Sequence, residues 1–251
     1  MLLVVDIGNT NITCGIYNET ELVKTFRLVT DKNVSVLTYE ELFKEKLNNW
    51  NFDGCIIASV VDEITTTIKQ ACDNVLKLNS MLLDLNLDLG VVLGVAKPSE
   101  VGADRIANAS AVNSSYDTPA IVIDSGTATT FDVISKDGKF LGGIIFPGID
   151  LQLKSLHINT SRLPEIKAQE VKTAIGYDTE SAILSGVIRG SACTIEGLIK
   201  QCEAELGEKA TIVGTGGHIN LLAKYMSIKL DDINQQLTLD GLKNIYELNK
   251  K

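Results

Sequence analysis

Positive charge and aromatic residues are both scarce in this chain of 251 residues. Lys and Arg number 23 against 32 Asp and Glu, a formal net charge of −9 at pH 7, and aromatics make up 5% with 1 Trp. That balance, without any basic cluster, argues against a nucleic-acid partner held by phosphate neutralisation. Histidine is limited to His157 and His218, neither with a Cys or His at metal spacing, so no zinc site is expected. Cys14, Cys55, Cys72, Cys193 and Cys202 contain no C-x-x-C pair and are odd in number. Free, mostly buried thiols in a reducing compartment follow from that. No uninterrupted apolar run approaches the ~18 residues of a membrane span, and the opening residues meet Asp6 without a basic flank. A cytoplasmic protein with no membrane partner is the expectation.

What is present is the composition of a globular chain: 45% apolar and 22% charged residues, with no low-complexity segment. The length prior leans to two domains. An internal repeat supports that division. Leu2-Leu3-Val4-Val5-Asp6-Ile7-Gly8-Asn9-Thr10 and Ala120-Ile121-Val122-Ile123-Asp124-Ser125-Gly126-Thr127 share one order: apolar run, Asp, spacer, Gly, polar residue. An apolar run of this kind is a buried strand. The Gly at its end lets backbone N–H groups approach a phosphate, Thr or Asn adds donors, and the Asp is left for a cation. One Asp-x-Gly is an ordinary strand-ending turn; two copies half a chain apart point to duplicated domains, 1–115 and 116–251, with a cleft between them.

The remaining patterns extend the repeat. Strands are expected at 2–6, 12–17 and 22–28, then a helix over 39–47, a strand at 55–60 and a helix over 63–78 whose Ile64, Ile68, Cys72 and Leu76 recur every four residues. Residues 82–96 read as short strands or a lining segment. Pro98 to Val112 reads as a loop feeding a helix. The three-strand opening returns at 120–124, 130–134 and 139–145, with Lys136-Asp137-Gly138 as the hairpin turn. A long helix is expected over 178–206, interrupted by Gly186 and Gly190, whose spacing suggests close helix packing and would fit a subunit contact. Thr211 to His218 is a strand ending in a Gly-rich turn. It lacks the third Gly of the dinucleotide fingerprint, Ile219 standing there, which disfavours a Rossmann oxidoreductase.

Five segments taken in order resemble one family. They are Asp6-Ile7-Gly8-Asn9-Thr10-Asn11, Pro98-x-Glu100-Val101-Gly102-Ala103-Asp104-Arg105, Asp124-Ser125-Gly126-Thr127-Ala128-Thr129, Gly142-Gly143-x-x-x-Pro147-Gly148 and Thr215-Gly216-Gly217. Together they are similar to type III pantothenate kinase over nearly the whole chain. The resemblance implies an α/β fold of two ribonuclease-H-like domains of the actin-like ATPase class. It also implies ATP-dependent phosphorylation of pantothenate as the first step to coenzyme A, Mg²⁺, a monovalent cation (K⁺ or NH4⁺) and a homodimer. Carried over by position, Asp6, Ile7, Gly8, Asn9, Thr10, Asn11, Ile12 and Thr13 would bind ATP, Asp6 acting on Mg²⁺ through water. Thr127 would contact ATP, and residues 214–217 would lie beside adenosine. Gly102, Ala103, Asp104, Arg105 and Thr179 would hold pantothenate, Asp104 as general base and Arg105 on the substrate carboxylate, while Asp124 would be the monovalent-cation ligand. Three positions depart from the family pattern: Val95 stands where many relatives have Tyr, Ser125 where an apolar residue or Phe is frequent, and His218 where Leu is common.

Two rival readings remain at the level of sequence. One is a non-catalytic accessory or regulatory protein of the same family, against which the intact Asp6, Asp104 and Asp124 argue. The other is a sugar or acetate kinase of the same superfold.

Overall fold

The structure, a computed structural model, describes residues 1–250. It falls into two compact units, one of residues 1–92, 96–115 and the C-terminal helix, the other of Leu93–Val95 and Tyr116–Gln236.

In the first unit, β1 (Leu2–Ile7) is buried at every position except Asp6, which is half-buried. This suits a continuous apolar run covered on both faces. On one side lie β2 (Asn11–Asn18) and then β3 (Glu21–Val29), each antiparallel to its neighbour; on the other lie β4 (Gly54–Ser59) and β5 (Met81–Leu82), both parallel. The order is β3-β2-β1-β4-β5. Helix α1 (Val36–Leu47) starts at Ser35, whose hydroxyl accepts from the Thr38 N–H at 3.3 Å, and Lys44 and Lys46 in its last turn complement the helix dipole. Its Tyr39, Phe43 and Leu47 enter the same core as Ile64, Ile68, Ala71 and Cys72 of α2 (Asp62–Leu76).

The second unit repeats this plan. After β6 (Val92–Leu93), a 3-10 turn at Pro98–Glu100 and α3 (Ala103–Ser115) come β7 (Ala120–Ser125), β8 (Ala128–Ile134) and β9 (Lys139–Pro147), successively antiparallel. Next are α4 (Ile149–Ile158), α5 (Thr179–Leu184), a π-helical turn at Ser185–Arg189 and α6 (Gly190–Leu206). The chain closes with β10 (Thr211–Thr215), α7 (Ile219–Ala223), β11 (Asp232–Ile233) and α8 (Leu237–Asn249). The sheet order is β11-β10-β7-β8-β9-β6, with β10 and β11 parallel to β7. Without β6, strands 9-8-7-10-11 match 3-2-1-4-5 in order and direction, so the repeat seen in the sequence is a repeat of topology, an α/β fold of two like sheets.

Four details differ from the sequence reading. Residues 237–249 belong with the first unit rather than with 116–236, because α8 packs on α3: Gly241 is so close that a Cβ there would stand 1.8 Å from the Ala107 carbonyl oxygen. Thr238 Oγ1 donates to Asn108 Oδ1 and Asn244 Nδ2 to Ser110 Oγ, at 2.8 and 2.9 Å. The segment 178–206 is not one α-helix but α5, a π turn and α6. Gly186 and Gly190 pack against nothing in the protomer, a Cβ at either meeting no atom within 4 Å. Finally, Thr179–Leu206 does reach the length and mean hydropathy of a membrane span; its apolar residues are interspersed with Gly and Ser, so counting uninterrupted runs passed over it. Its Ile188, Ile195 and Ile199 lie in the second core. All five cysteines are free thiols.

Candidate functional site

In the first unit the end of β1 is locked into a tight turn. Gly8 N–H donates to Asn11 O at 3.0 Å, and Thr30 closes over it, its hydroxyl donating to Gly8 O at 2.7 Å and its N–H to Thr10 O at 3.1 Å. Asn9, Thr10 and Asn11 are exposed at the turn, whereas Ile7 and Ile12 are fully buried in the core and can offer a ligand only backbone groups. Asp6 and Thr13 face each other across the β1–β2 ladder, both half-buried.

The second candidate group is beside this turn. Val60 N–H donates to Ile7 O at 3.1 Å, and Val60 packs on Gly102, whose hypothetical Cβ would lie 3.6 Å from Val60 Cγ1. Gly102 leads into α3, whose first turn carries Asp104 and Arg105. The Asp104 carboxylate folds over Gly102 and accepts the Arg105 N–H at 2.8 Å. Burial pushes the Asp104 carboxyl above the ordinary carboxylate range, opposed by the Arg105 N–H and the Arg105 charge. An acid with a raised pKa that is still within reach of solvent is suited to taking a proton at neutral pH. The ends of β1 and β4 thus bring Asp6, residues 8–11 and 102–105 together in one unit.

In the second unit the corresponding turn is one residue shorter: Gly126 N–H donates to Ala128 O at 3.0 Å, and Thr127 is exposed at its tip. Two further turns converge on it. Gly148, just before α4, donates its N–H to Thr127 O at 3.1 Å, and a Cβ there would come within 2.3 Å of Gly126 O. Gly216, at φ +88°, lies against Asp124; a Cβ would stand 2.4 Å from Asp124 Oδ1 and 2.6 Å from Ser125 N. Only glycine fits such a contact at that φ. Next to it His218 N–H donates to Ser125 O at 3.1 Å, and the imidazole Nε2 pairs with Asp150 Oδ2 at 2.9 Å. Asp124, Thr127 and 214–218 are therefore gathered. Thr179 is elsewhere in this unit, exposed at the start of α5, where Asp178 and Ser181 form a capping box.

Sequence reasoning had no means of pairing His218 with Asp150, which are 68 positions apart. Val95 is placed by Gly94, whose N–H donates to Phe140 O at 2.8 Å, and it packs near Gly142. Among the described residues no three His, Cys, Asp or Glu side chains are grouped to cage a metal. The half-buried Asp6 carboxylate beside the exposed turn at residues 9–11 is a single hard oxygen donor, of the kind on which a Mg²⁺ ion that keeps several waters and binds phosphates can lean.

The model of the family described as type III pantothenate kinase matches residues 2–201. Type III pantothenate kinases of Phenylobacterium zucineum and Exiguobacterium sibiricum are each 36% identical over 255 residues, covering 100% of this chain and 99% and 100% of their own. Among solved structures, a Campylobacter jejuni protein described as a Baf family transcriptional activator aligns with a TM-score of 0.66 at 24% identity, over 98% of both chains. The activator of 2-hydroxyisocaproyl-CoA dehydratase from Clostridium difficile, solved with bound ADPNP, aligns at 0.54 and 14% identity, over 98% of this chain and 95% of that one. These two likenesses speak for the actin-like fold alone.

Proposed function

The chain belongs to the type III pantothenate kinase family and is a kinase for pantothenate in coenzyme A biosynthesis, and we propose that its two Asp-x-Gly turns and the Gly102–Arg105 segment divide the work of that reaction. The single observation that carries this division is that each unit ends its central strand in an Asp, a spacer and a Gly whose N–H closes a tight turn into the next antiparallel strand, Gly8 onto Asn11 O and Gly126 onto Ala128 O.

ATP is the phosphoryl donor. Residues 6–13 and Thr127 bind it, the exposed Asn9, Thr10, Asn11 and Thr127 through side chains and Ile7 and Ile12 through backbone, with 214–217 beside adenosine. Mg²⁺ supplies neutralisation of the charge on the phosphates; Asp6 would hold it through water. Asp124 binds a monovalent cation, K⁺ or NH4⁺. Gly102, Ala103, Arg105 and Thr179 hold pantothenate, Arg105 pairing with its carboxylate. Phosphoryl transfer passes through a loose transition state, so positioning and charge neutralisation carry most of the rate and the proton leaves the attacking hydroxyl late. Asp104 accepts that proton; its raised pKa, caused by burial, brings it closer to the operating pH. The enzyme works as a cytoplasmic homodimer with neither a nucleic-acid nor a membrane partner. The open face of Gly186 and Gly190 supports the dimer.

The test is a coupled assay of ADP release with pantothenate, acetate and several sugars, in potassium and in sodium. Pantothenate-dependent release in potassium is expected. Release with a sugar or acetate but not pantothenate, or none from folded protein at saturating ATP, would refute the assignment.

A further inference from the structure

Three turns of the second unit are tied to one another pairwise. The turn at 147–150 is joined to the turn at 125–127 by Gly148 N–H to Thr127 O, at 3.1 Å. The turn at 214–218 is joined to it by His218 N–H to Ser125 O, also at 3.1 Å. The third side of the ring is made by side chains alone: His218 Nε2 to Asp150 Oδ2, 2.9 Å. Gly216 lies inside this ring, hard against Asp124, while a Cβ on its neighbour Gly217 would meet nothing within 4 Å.

We propose that His218, held by Asp150, is a positioning residue for the nucleotide, latching the Gly216–Gly217 turn to the start of α4 so that its backbone is presented in one register. The proposal rests on the assignment of 214–217 to the adenosine side of ATP. The physical case is a contrast between the three ties. The two backbone ties use neither the imidazole nor the Asp150 carboxylate, so losing either side chain leaves the strands and the core in place. What loosens is the placement of residues 216–218 relative to 148–150, and with it the contact between Gly216 and Asp124. The Asp150 side chain is 74% exposed and that of His218 23% exposed, so the pair adds little to global stability. Its value lies in ordering a turn before the ligand arrives, which lowers the entropic cost of binding. A ligand that draws on this order is one whose flat face lies along glycine backbone, a nucleoside triphosphate.

The test compares His218→Ala, His218→Gln, Asp150→Ala, Asp150→Asn and the double Ala variant with the wild type. Titration calorimetry with ATP and Mg²⁺, kcat and KM for ATP and for pantothenate, and melting temperature are the readouts. Each Ala variant should raise the Kd and KM for ATP roughly threefold to fivefold, the size of one partly exposed hydrogen bond, with kcat, KM for pantothenate and melting temperature close to wild type. Asp150→Asn, which still accepts from the imidazole, should restore most of the ATP affinity. The double variant should be no weaker than either single. Unchanged ATP affinity in both Ala variants, an additive double variant, or an equal loss in Asp150→Asn and Asp150→Ala would overturn the latch while leaving the kinase assignment standing. Absence of ATP binding by the wild type would instead overturn the nucleotide assignment, and the latch with it. His218→Gln, whose amide can still donate to Asp150, should keep ATP affinity closer to wild type than His218→Ala. If His218→Ala lowers the melting temperature by several degrees, Asp150→Ala decides, because that side chain is 74% exposed and its loss leaves the fold intact: ATP affinity retained there refutes positioning by the His218–Asp150 pair.

Discussion

Gly102 and Asp104 are in steric contact: a Cβ on Gly102 would lie 2.5 Å from Asp104 Oδ1. Because the obstructing atom is the end of a side chain, the Gly102→Ala protein can fold by rotating the carboxylate aside. The expected outcome is turnover lowered by about 10- to 100-fold, the order of loss that an ångström-scale misplacement causes, with melting temperature nearly unchanged. Wild-type turnover in Gly102→Ala would show that the position of Asp104 is not critical.

Asp104→Asn should keep the fold and ATP binding and lose ~10²- to 10⁴-fold in turnover, since Asn preserves volume but cannot accept the hydroxyl proton. Stability should move the other way. The folded-state pKa of Asp104 is raised by burial, so the folded protein binds this proton more tightly than the unfolded chain. Its stability therefore falls as pH rises from the ordinary carboxylate pKa to the raised one. Asp104→Asn removes that loss, so denaturant titrations should find the variant more stable than wild type at neutral pH and the gain vanishing in acid. A variant less stable at neutral pH, with turnover of the folded fraction retained, would make Asp104 a structural residue.

Replacement of potassium or ammonium by sodium should collapse pantothenate phosphorylation, and Asp124→Ala should raise the concentration of cation required. Rates measured at fixed ionic strength check this. Equal rates in sodium would remove the cation from the mechanism.

Light scattering should return about twice the 27.1 kDa chain mass. Gly190→Leu should weaken the association, because the side chain enters a face that is open in the protomer. A monomeric mass at micromolar concentration with full activity would refute the homodimer.

Gly241→Ala tests the return of α8 to the first unit. Its Cβ would meet the Ala107 carbonyl at 1.8 Å, a backbone group that cannot rotate away. A loss of about 1–3 kcal/mol of stability, typical of overpacking, is expected in denaturant titrations. No loss would mean that α8 sits less tightly on α3.

Much of the architecture is a local property of the chain. The run from Leu2 to Val5 and that from Ala120 to Ile123 are apolar at every position, so each must be a strand covered on both faces, and the Asp and Gly that follow each run mark its end. The four-residue stripe of Ile64, Ile68 and Cys72 is a helix face wherever it packs. The family follows from the order of five short motifs, and those motifs also name Asp6, Asp104 and Asp124. Other features depend on atoms brought together from distant parts of the chain. That α8 leaves the second unit's residues to cover α3 is decided by the fit of Gly241 on Ala107, and neither residue carries a signal of it. The π turn at Ser185–Arg189 departs from an apolar periodicity that a plain helix would satisfy as well. The burial that raises the pKa of Asp104 comes from the packing of α3 near the end of β4, and the pairing of His218 with Asp150 exists only because β7, β9 and β10 end close together. Periodicity and composition act over one or two turns of chain, whereas desolvation and side-chain contact are set by whatever the folded chain places within a few ångströms.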